Sequence, residues 1–146
     1  MFLIDTDVLS AARRAERHPQ VTSWLARQEE HSLFVSVITL GEIEDGVHRQ
    51  LRRNPPYGRE LAAWLDQIIT GFDSRILAFE APDARQWGRF TADLGYDNAD
   101  LQIAATALVH GLTVVTRNVR HFKPTGVRVL NPFGDGEDTQ DSAGDA

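Results

Sequence analysis

Three acidic residues and one asparagine lie where predicted strands end or where the next helices begin. Asp5 follows the apolar run 2–4, Glu42 lies early in the helix after the second strand, Asp100 lies in the first turn of a helix, and Asn118 follows the fourth strand. In a parallel sheet these positions meet at the ligand-binding edge. Three carboxylates repel one another unless a cation joins them, and oxygen ligands without cysteine favour Mg²⁺ or Mn²⁺. Such an ion activates water and offsets charge on a phosphoryl group, which indicates phosphodiester hydrolysis.

Each acid also has a simpler interpretation when it is taken alone. Asp5 or Thr6 could cap the following helix. Asp100 could be a favourable charge in the first turn of its helix, and Glu42 could lie on a solvated helix face. The functional interpretation therefore depends on all three acids meeting at one edge.

The elements that must position these residues alternate between strands and helices. The predicted strands cover residues 2–4, 33–37, 75–79, 112–116 and 127–130. The predicted helices cover residues 7–14, 19–30, 40–53, 59–72, 82–94 and 99–110. This alternation predicts an α/β fold with a mainly parallel sheet of four or five strands, covered on both faces by helices.

Composition limits the classes of protein to which the chain can belong. Its 146 residues fit one domain, and without cysteine it can form no disulfide. No apolar run reaches the roughly 20 residues needed to span a bilayer, and no signal sequence is evident, so we expect a cytoplasmic protein. Five of the 21 acidic residues lie after Gly134, in a segment with no basic residue. We expect a folded domain at 1–133 and a disordered acidic tail at 134–146.

Four stretches of the chain resemble the motifs of PIN-domain ribonucleases, in the order and at the spacing of VapC-type toxins. They are residues 3–10, 36–43, 98–107 and 112–122, and the ending at 131–133 is also common in that family. The resemblance spans residues 2–133. One departure is Asp7, which stands where the family usually has asparagine.

The resemblance implies a three-layer α/β/α fold and an endoribonuclease that depends on Mg²⁺ or Mn²⁺. By this resemblance, the acidic active-site residues of the family correspond to Asp5, Glu42 and Asp100. Asn118 occupies a fourth position, where many members have aspartate. Asp5 and Asp100 are the expected direct metal ligands. Glu42 would act through a water or help to deprotonate the attacking one.

The resemblance also implies partners. The expected substrate is a structured RNA such as tRNA, and the expected inhibitor is a cognate VapB-type antitoxin. The chain would contact operator DNA only indirectly, through that antitoxin. A homodimer is expected on the same ground. We further expect an antitoxin segment to dock among the first two helices and the pair at 40–53 and 59–72, where apolar and arginine residues are frequent.

Several neighbouring residues receive weaker expectations. Thr6, Thr116 and Arg117 are candidate contacts to substrate phosphate, and Arg120 could join them. The five histidines share no metal-ligand spacing, so structural or surface roles are expected. The tryptophans fall on apolar helical stripes that predict core or partner packing. Structural roles are also favoured for the remaining acids near the motifs, which are Glu44, Asp45, Asp83 and Asp97.

Three other functions can be compared with the sequence. The segment Asp5-Thr6-Asp7 fits the Asp-x-Asp motif of a haloacid-dehalogenase-type phosphatase, which uses a lysine, yet the only lysine is Lys123 and no acidic pair follows it on a helix. A receiver domain is disfavoured because the third strand ends without a phosphorylatable aspartate. The more serious alternative is a non-catalytic binding module that acts through an antitoxin–DNA complex.

Overall fold

Five short parallel strands form the centre of the computed structural model, which describes residues 1–134. The strands are β1 (Phe2–Ile4), β2 (Leu33–Ser36), β3 (Ile76–Leu77), β4 (Thr113–Val115) and β5 (Val129–Leu130). Their order across the sheet is β3-β2-β1-β4-β5, and every pair is parallel. Chain order reverses at β1, so the cleft beside its carboxyl end is a topological switch point. This sheet confirms the predicted fold class.

Seven helices connect the strands in the described part of the chain. They are α1 (Thr6–Ala12), α2 (Pro19–Ala26), α3 (Val37–Arg53), α4 (Pro55–Phe72), α5 (Ala81–Leu94), α6 (Ala99–His110) and α7 (Val119–Phe122). Within residues 1–134, no helix is long and apolar enough to cross a membrane.

Two hydrophobic cores lie on opposite faces of the sheet, because successive strand side chains point in opposite directions. Leu3 and Val114 pack on one face against α5, α6 and α7. Ile4 and Val115 pack on the other face against α1 to α4. The fold therefore has three layers, and both faces of the central strands are dry, as expected for a parallel sheet.

Local capping explains where the helices near the sheet edge begin. Ser36 accepts a hydrogen bond from the Ile38 N–H and starts α3, while Asn98 accepts one from the Leu101 N–H and starts α6. Gly111 has a φ of 68° and ends α6 in the left-handed conformation that glycine adopts readily. These caps place Glu42 and Asp100 in helices that begin at the same sheet edge.

Several predicted boundaries were wrong. Helix α2 ends at Ala26 instead of Glu30, and α4 begins at Pro55 instead of Arg59 because Asn54 caps it through the Tyr57 N–H. β1 matches the predicted bounds, but the other four strands are shorter than predicted, and the helix α7 was not predicted at all. The predicted acidic tail lies outside the described residues apart from Gly134.

Candidate active site at the carboxyl edge of the sheet

Asp5 stands at the carboxyl end of β1 and is almost entirely buried, with 4% of its surface exposed. Its Oδ1 atom accepts a hydrogen bond from the Thr6 N–H at 2.8 Å, so Asp5 also caps α1. Its Oδ2 atom accepts a hydrogen bond of 2.8 Å from the hydroxyl of Thr116, which directly follows β4. Burial raises the pKa of Asp5 to about 8, helped by the charges of Asp7 and Asp100 and opposed by the two hydrogen bonds.

Asp7 competes with Asp5 for the same hydroxyl. The Asp7 Oδ2 atom lies 3.3 Å from Thr116 Oγ1 and accepts the Arg117 N–H at 2.9 Å. A threonine hydroxyl has one proton to donate, so it can satisfy only one of these carboxylates at a time. Within the described residues 1–134, the buried Asp7 Oδ1 atom has no hydrogen-bond partner. Burial raises the pKa of the Asp7 carboxyl, against the hydrogen bond from the Arg117 backbone.

Glu42 joins this group from the second turn of α3. Its Oε1 atom accepts a hydrogen bond from the Thr6 hydroxyl at 3.0 Å, which fixes α3 against the start of α1. Although part of Glu42 is open to solvent, the protein packed around its carboxyl raises the pKa, and the charges of Asp100 and Asp7 raise it further. A carboxylate with a raised pKa is a stronger base than a free one.

Asp100 approaches from the first turn of α6. Its Oδ2 atom lies 3.1 Å from His121 Nδ1 on α7, so a helix that was not predicted supplies a direct neighbour of the acidic group. The charge of Asp100 contributes to the raised pKa values of both Asp5 and Glu42. Asp5, Asp7, Glu42 and Asp100 thus form one electrostatically coupled set, which we call the acidic cluster.

The donor chemistry of the acidic cluster fits a hard divalent cation. Its members offer carboxylate oxygens, and the partnerless Asp7 Oδ1 is the kind of buried atom that an ion or its water would satisfy. Within residues 1–134, no three acidic or histidine side chains are arranged to hold a metal ion together. Mg²⁺ and Mn²⁺ can be held by one or two carboxylates while several waters remain on the ion.

A family comparison agrees with this geometry. The model of the PIN domain matches residues 2–126, which include all four members of the acidic cluster. The chain belongs to the PIN-domain family.

Similar proteins cover nearly the whole of this PIN domain. Toxin FitB of Neisseria gonorrhoeae is 35% identical over 141 residues, covering 92% of this chain and 100% of FitB. VapC ribonuclease Y4jK of Sinorhizobium fredii is 28% identical over 142 residues, covering 91% of this chain and 98% of that protein. The crystal structure of FitAcB from Neisseria gonorrhoeae superposes with a TM-score of 0.80 at 34% identity, covering 92% of this chain and 100% of that one.

The other predicted site residues lie at the same edge of the PIN domain. The Asn118 N–H donates a hydrogen bond to Thr116 Oγ1 at 3.0 Å. Asn118 therefore lies beside the hydroxyl that Asp5 and Asp7 share. The Thr6 and Thr116 hydroxyls donate to carboxylates of the acidic cluster. The Arg117 guanidinium lies 3.9 Å from the centre of the Phe133 ring. Direct phosphate contacts by Thr6, Thr116 and Arg117 remain predictions, as does metal coordination by Asp5 and Asp100.

The acidic neighbours outside the cluster have structural contacts. The Asp97 carboxylate accepts a hydrogen bond from the Trp87 indole at 2.8 Å, and Asp83 completes the capping box of α5. Glu44 and Asp45 pair with His48 and Arg49 on the exposed face of α3. These contacts are structural, as the sequence favoured.

Sequence reasoning missed two members of the site. His121 was expected to be structural or on the surface, yet its ring contacts Asp100. The only available signal was its position three residues after Asn118, because His121 shares no ligand spacing with another histidine. Asp7 was left without an assigned role, and the structure shows its carboxylate on the hydroxyl that Asp5 uses.

Proposed function

We propose that this PIN domain is the toxin of a type II toxin–antitoxin system and acts as a metal-dependent endoribonuclease. The observation that carries the proposal is the acidic cluster, in which a buried aspartate with a pKa of about 8 shares an edge with three other carboxyl groups. Folding such a cluster is costly unless a cation binds there. The similarity to a VapC ribonuclease and to toxin FitB supports RNA as the substrate and toxicity as the outcome.

The residues of the cluster would have different roles in phosphodiester hydrolysis. In this reaction a water oxygen forms a bond to phosphorus, the bond from phosphorus to one ribose oxygen breaks, and that leaving oxygen takes up a proton from solvent. Asp5 and Asp100 would hold Mg²⁺ or Mn²⁺, which when bound offsets the charge that develops on the phosphoryl oxygens. Glu42 is oriented by the Thr6 hydroxyl and takes the proton of the attacking water.

Two further residues position this machinery. His121 orients Asp100 through the 3.1 Å contact between Nδ1 and Oδ2. Thr116 holds Asp5 through its hydroxyl and is itself held by the Asn118 N–H. Asn118 can add an amide oxygen at the fourth position but no negative charge, which favours one tightly bound ion over two.

The partners proposed for the chain follow from the same function. A cognate VapB-type antitoxin would block the acidic cluster, and operator DNA would be reached only through that antitoxin. A structured RNA such as tRNA is the proposed substrate, and the active form is proposed to be a homodimer in the cytoplasm. A light-scattering mass equal to one chain at micromolar concentration would contradict the dimer.

A matched pair of substitutions on α3 tests the catalytic assignment. Glu42 and Glu44 are two residues apart on this helix, but Glu44 pairs with His48 at the surface. Incubation of antitoxin-free protein with total tRNA and rRNA in Mg²⁺ or Mn²⁺ should give cleavage products. We expect Glu42→Gln to lower the cleavage rate at least roughly a hundredfold, the usual contribution of a general base, and Glu44→Gln to leave it unchanged.

The opposite results would support the binding-module alternative. If the wild-type chain leaves both RNA pools intact with either metal, and if Asp5→Ala does not relieve growth arrest on expression, the nuclease assignment fails. Equal rates for Glu42→Gln and wild type would remove Glu42 from the mechanism.

A further inference from the structure

A cavity of about 600 Å³ opens beside the acidic cluster, between α1, α3 and α4. Thr6, Asp7 and Glu42 line it, so it is continuous with the candidate active site. The same cavity is lined by two consecutive arginines that follow α1, Arg13 and Arg14. Acidic and basic side chains therefore face a single space.

The spacing of these opposite charges follows from α1. Asp7 lies in its first turn and Arg13 is its C-terminal cap. With a rise of 1.5 Å per residue, the six steps between them span about 9 Å along the helix axis. A ligand that contacts both ends of α1 must be extended on the scale of one to two nucleotides.

Aromatic residues hold Arg13 at the cavity wall. Its guanidinium lies 5.5 Å from the centre of the Tyr57 ring and 5.4 Å from that of Trp64, and its side chain is only 20% exposed. Arg13 also pairs at 4.0 Å with the carboxylate of Glu60, whose own side chain is 71% exposed. An exposed ion pair at this distance contributes little, so the charge of Arg13 is only weakly compensated by Glu60.

Arg14 contacts the hydroxyl group of Tyr57, as Arg13 does. The Tyr57 hydroxyl accepts a hydrogen bond from Arg13 Nη1 at 3.4 Å and from Arg14 Nη2 at 3.5 Å. Both bonds are long, and each uses only one of the five N–H donors of its guanidinium. The remaining donors of each arginine can therefore bind other acceptors. Hydrogen bonding from Arg13 and the charges of both arginines lower the pKa of Tyr57, while burial opposes them.

We propose that Arg13, Arg14 and Tyr57 form a phosphate subsite that binds the RNA backbone next to the scissile bond. The inference deepens the proposed nuclease function and rests on it. One phosphate of the RNA would lie at the acidic cluster and its neighbour at the arginines, while Ile43 and Leu61 offer an apolar wall to the sugar and base. Paired guanidinium groups suit phosphate because their planar donors match its oxygens.

The charge pattern of this cavity suits RNA, and an inhibitory antitoxin that covers the acidic cluster would compete with RNA for the same space. An inhibitory peptide that placed a basic side chain at the acidic cluster would bring positive charge toward Arg13 and Arg14. A polyanion has no such conflict, because a cation at the cluster and the arginines both attract it. Protein occupancy is therefore the outcome that the test must be able to reveal.

The test measures RNA affinity separately from cleavage. A short fluorescein-labelled single-stranded RNA is titrated with the full chain in Mg²⁺ over a series of NaCl concentrations, in the Glu42→Gln background, which slows cleavage while a cation remains available to the cluster. The double variant Arg13→Gln/Arg14→Gln is compared with Arg52→Gln/Arg53→Gln, a second consecutive arginine pair that lies exposed at the end of α3. Both variants lose the same net charge, so a difference between them reports position.

The subsite predicts a clear difference between the two variants. Removal of the Arg13 and Arg14 charges should weaken RNA binding roughly tenfold. It should also lower the slope of log affinity against log salt by about 0.7 for each phosphate that the protein no longer neutralises. The control pair should change both quantities much less. Arg14→Gln alone, with circular dichroism to confirm folding, guards against loss of the Arg13 packing.

Two other results would separate the subsite from the nuclease. If the wild type cleaves RNA with Mg²⁺ but both arginine pairs have equal effects on affinity and slope, the subsite is wrong, the nuclease stands, and the cavity is left to a protein partner. If RNA binding depends on Arg13 and Arg14 but no RNA is cleaved with either metal, the subsite stands and the nuclease fails. Absence of RNA binding by the Glu42→Gln chain with both arginine pairs intact would also overturn the subsite.

Discussion

Replacing Asp7 with asparagine should stabilise the metal-free protein, although Asp7 is close to the centre of the candidate active site. Asp7 and Asp5 share the single proton of the Thr116 hydroxyl, and the Asp7 Oδ1 atom has no hydrogen-bond partner. Asparagine has the same shape and can still accept the Arg117 N–H bond through its amide oxygen. The substitution therefore removes one buried negative charge and keeps the principal contact.

The size of the effect follows from the shared hydroxyl. Because Asp5 Oδ2 lies 2.8 Å and Asp7 Oδ2 lies 3.3 Å from the same oxygen, the two carboxylate oxygens are at most about 6 Å apart. At an effective dielectric constant of about 20, two full charges at that distance repel by about 3 kcal/mol. With a pKa of about 8, Asp5 is largely protonated at pH 7. At pH 8, where Asp5 is about half ionised, roughly half of this repulsion is expressed, and we expect a gain of about 1.5 kcal/mol, or about 5 °C in Tm.

The pH dependence has a definite sign. The pKa of Asp5 rises from 3.8 to about 8 on folding, so its unfavourable contribution is absent below about pH 4 and grows until about pH 8. In EDTA, the stability advantage of Asp7→Asn should therefore increase as the pH rises across this range. Addition of Mg²⁺ should raise the Tm of the wild type more than that of the variant, because the wild type has more negative charge for the ion to offset.

Thermal unfolding followed by circular dichroism measures all of these differences. The control is Asp66→Asn on the exposed face of α4, which should change the free energy of unfolding by less than about 0.5 kcal/mol. An Asp7→Asn protein no more stable than the wild type in EDTA at pH 8 would refute the electrostatic description of the cluster.

Three further substitutions test how the cluster and the sheet are held. Thr116→Val removes the hydroxyl on Asp5, so chemical denaturation should show a loss of about 1 to 3 kcal/mol and the cleavage assay a lower rate. His121→Ala frees Asp100, so the Mg²⁺ concentration for half-maximal cleavage should rise roughly tenfold or more; an unchanged requirement would contradict its positioning role. Arg75→Ala removes three hydrogen bonds to backbone carbonyls that tie the end of α4 to β2 and to the turn before it, so stability should fall by about 2 to 4 kcal/mol, while the folded fraction should cleave RNA at the normal rate.

Much of the fold could be predicted because its signals are local. The apolar run 2–4 predicted a buried strand, and Asn98 and Gly111 marked both ends of α6, as the structure confirms. The order of the strands in the sheet could not be predicted from the hydrophobic pattern, since no local signal shows that β1 lies between β2 and β4. Short helices were missed for a similar reason, because the four residues of α7 cannot display a helical period.

Asp5, Glu42 and Asp100 could be selected from the sequence because each follows a strand or lies in the first two turns of a helix at one edge. Their interactions could not be found in this way. That Asp5 and Asp7 share the Thr116 hydroxyl depends on contacts across more than a hundred residues of sequence. The contact between His121 and Asp100 likewise depends on how α7 packs beside α6, and a lone histidine gives no signal of it.

The most direct test of the central claim is the RNA cleavage rate of wild type and Asp5→Asn, measured against Mg²⁺ concentration with antitoxin-free protein. A catalytic metal site built on Asp5 predicts no cleavage in EDTA, a rate that rises with Mg²⁺ and then saturates, and a loss of at least roughly a hundredfold in Asp5→Asn. Cleavage that persists in EDTA, or an equal rate for Asp5→Asn at every Mg²⁺ concentration, would contradict it.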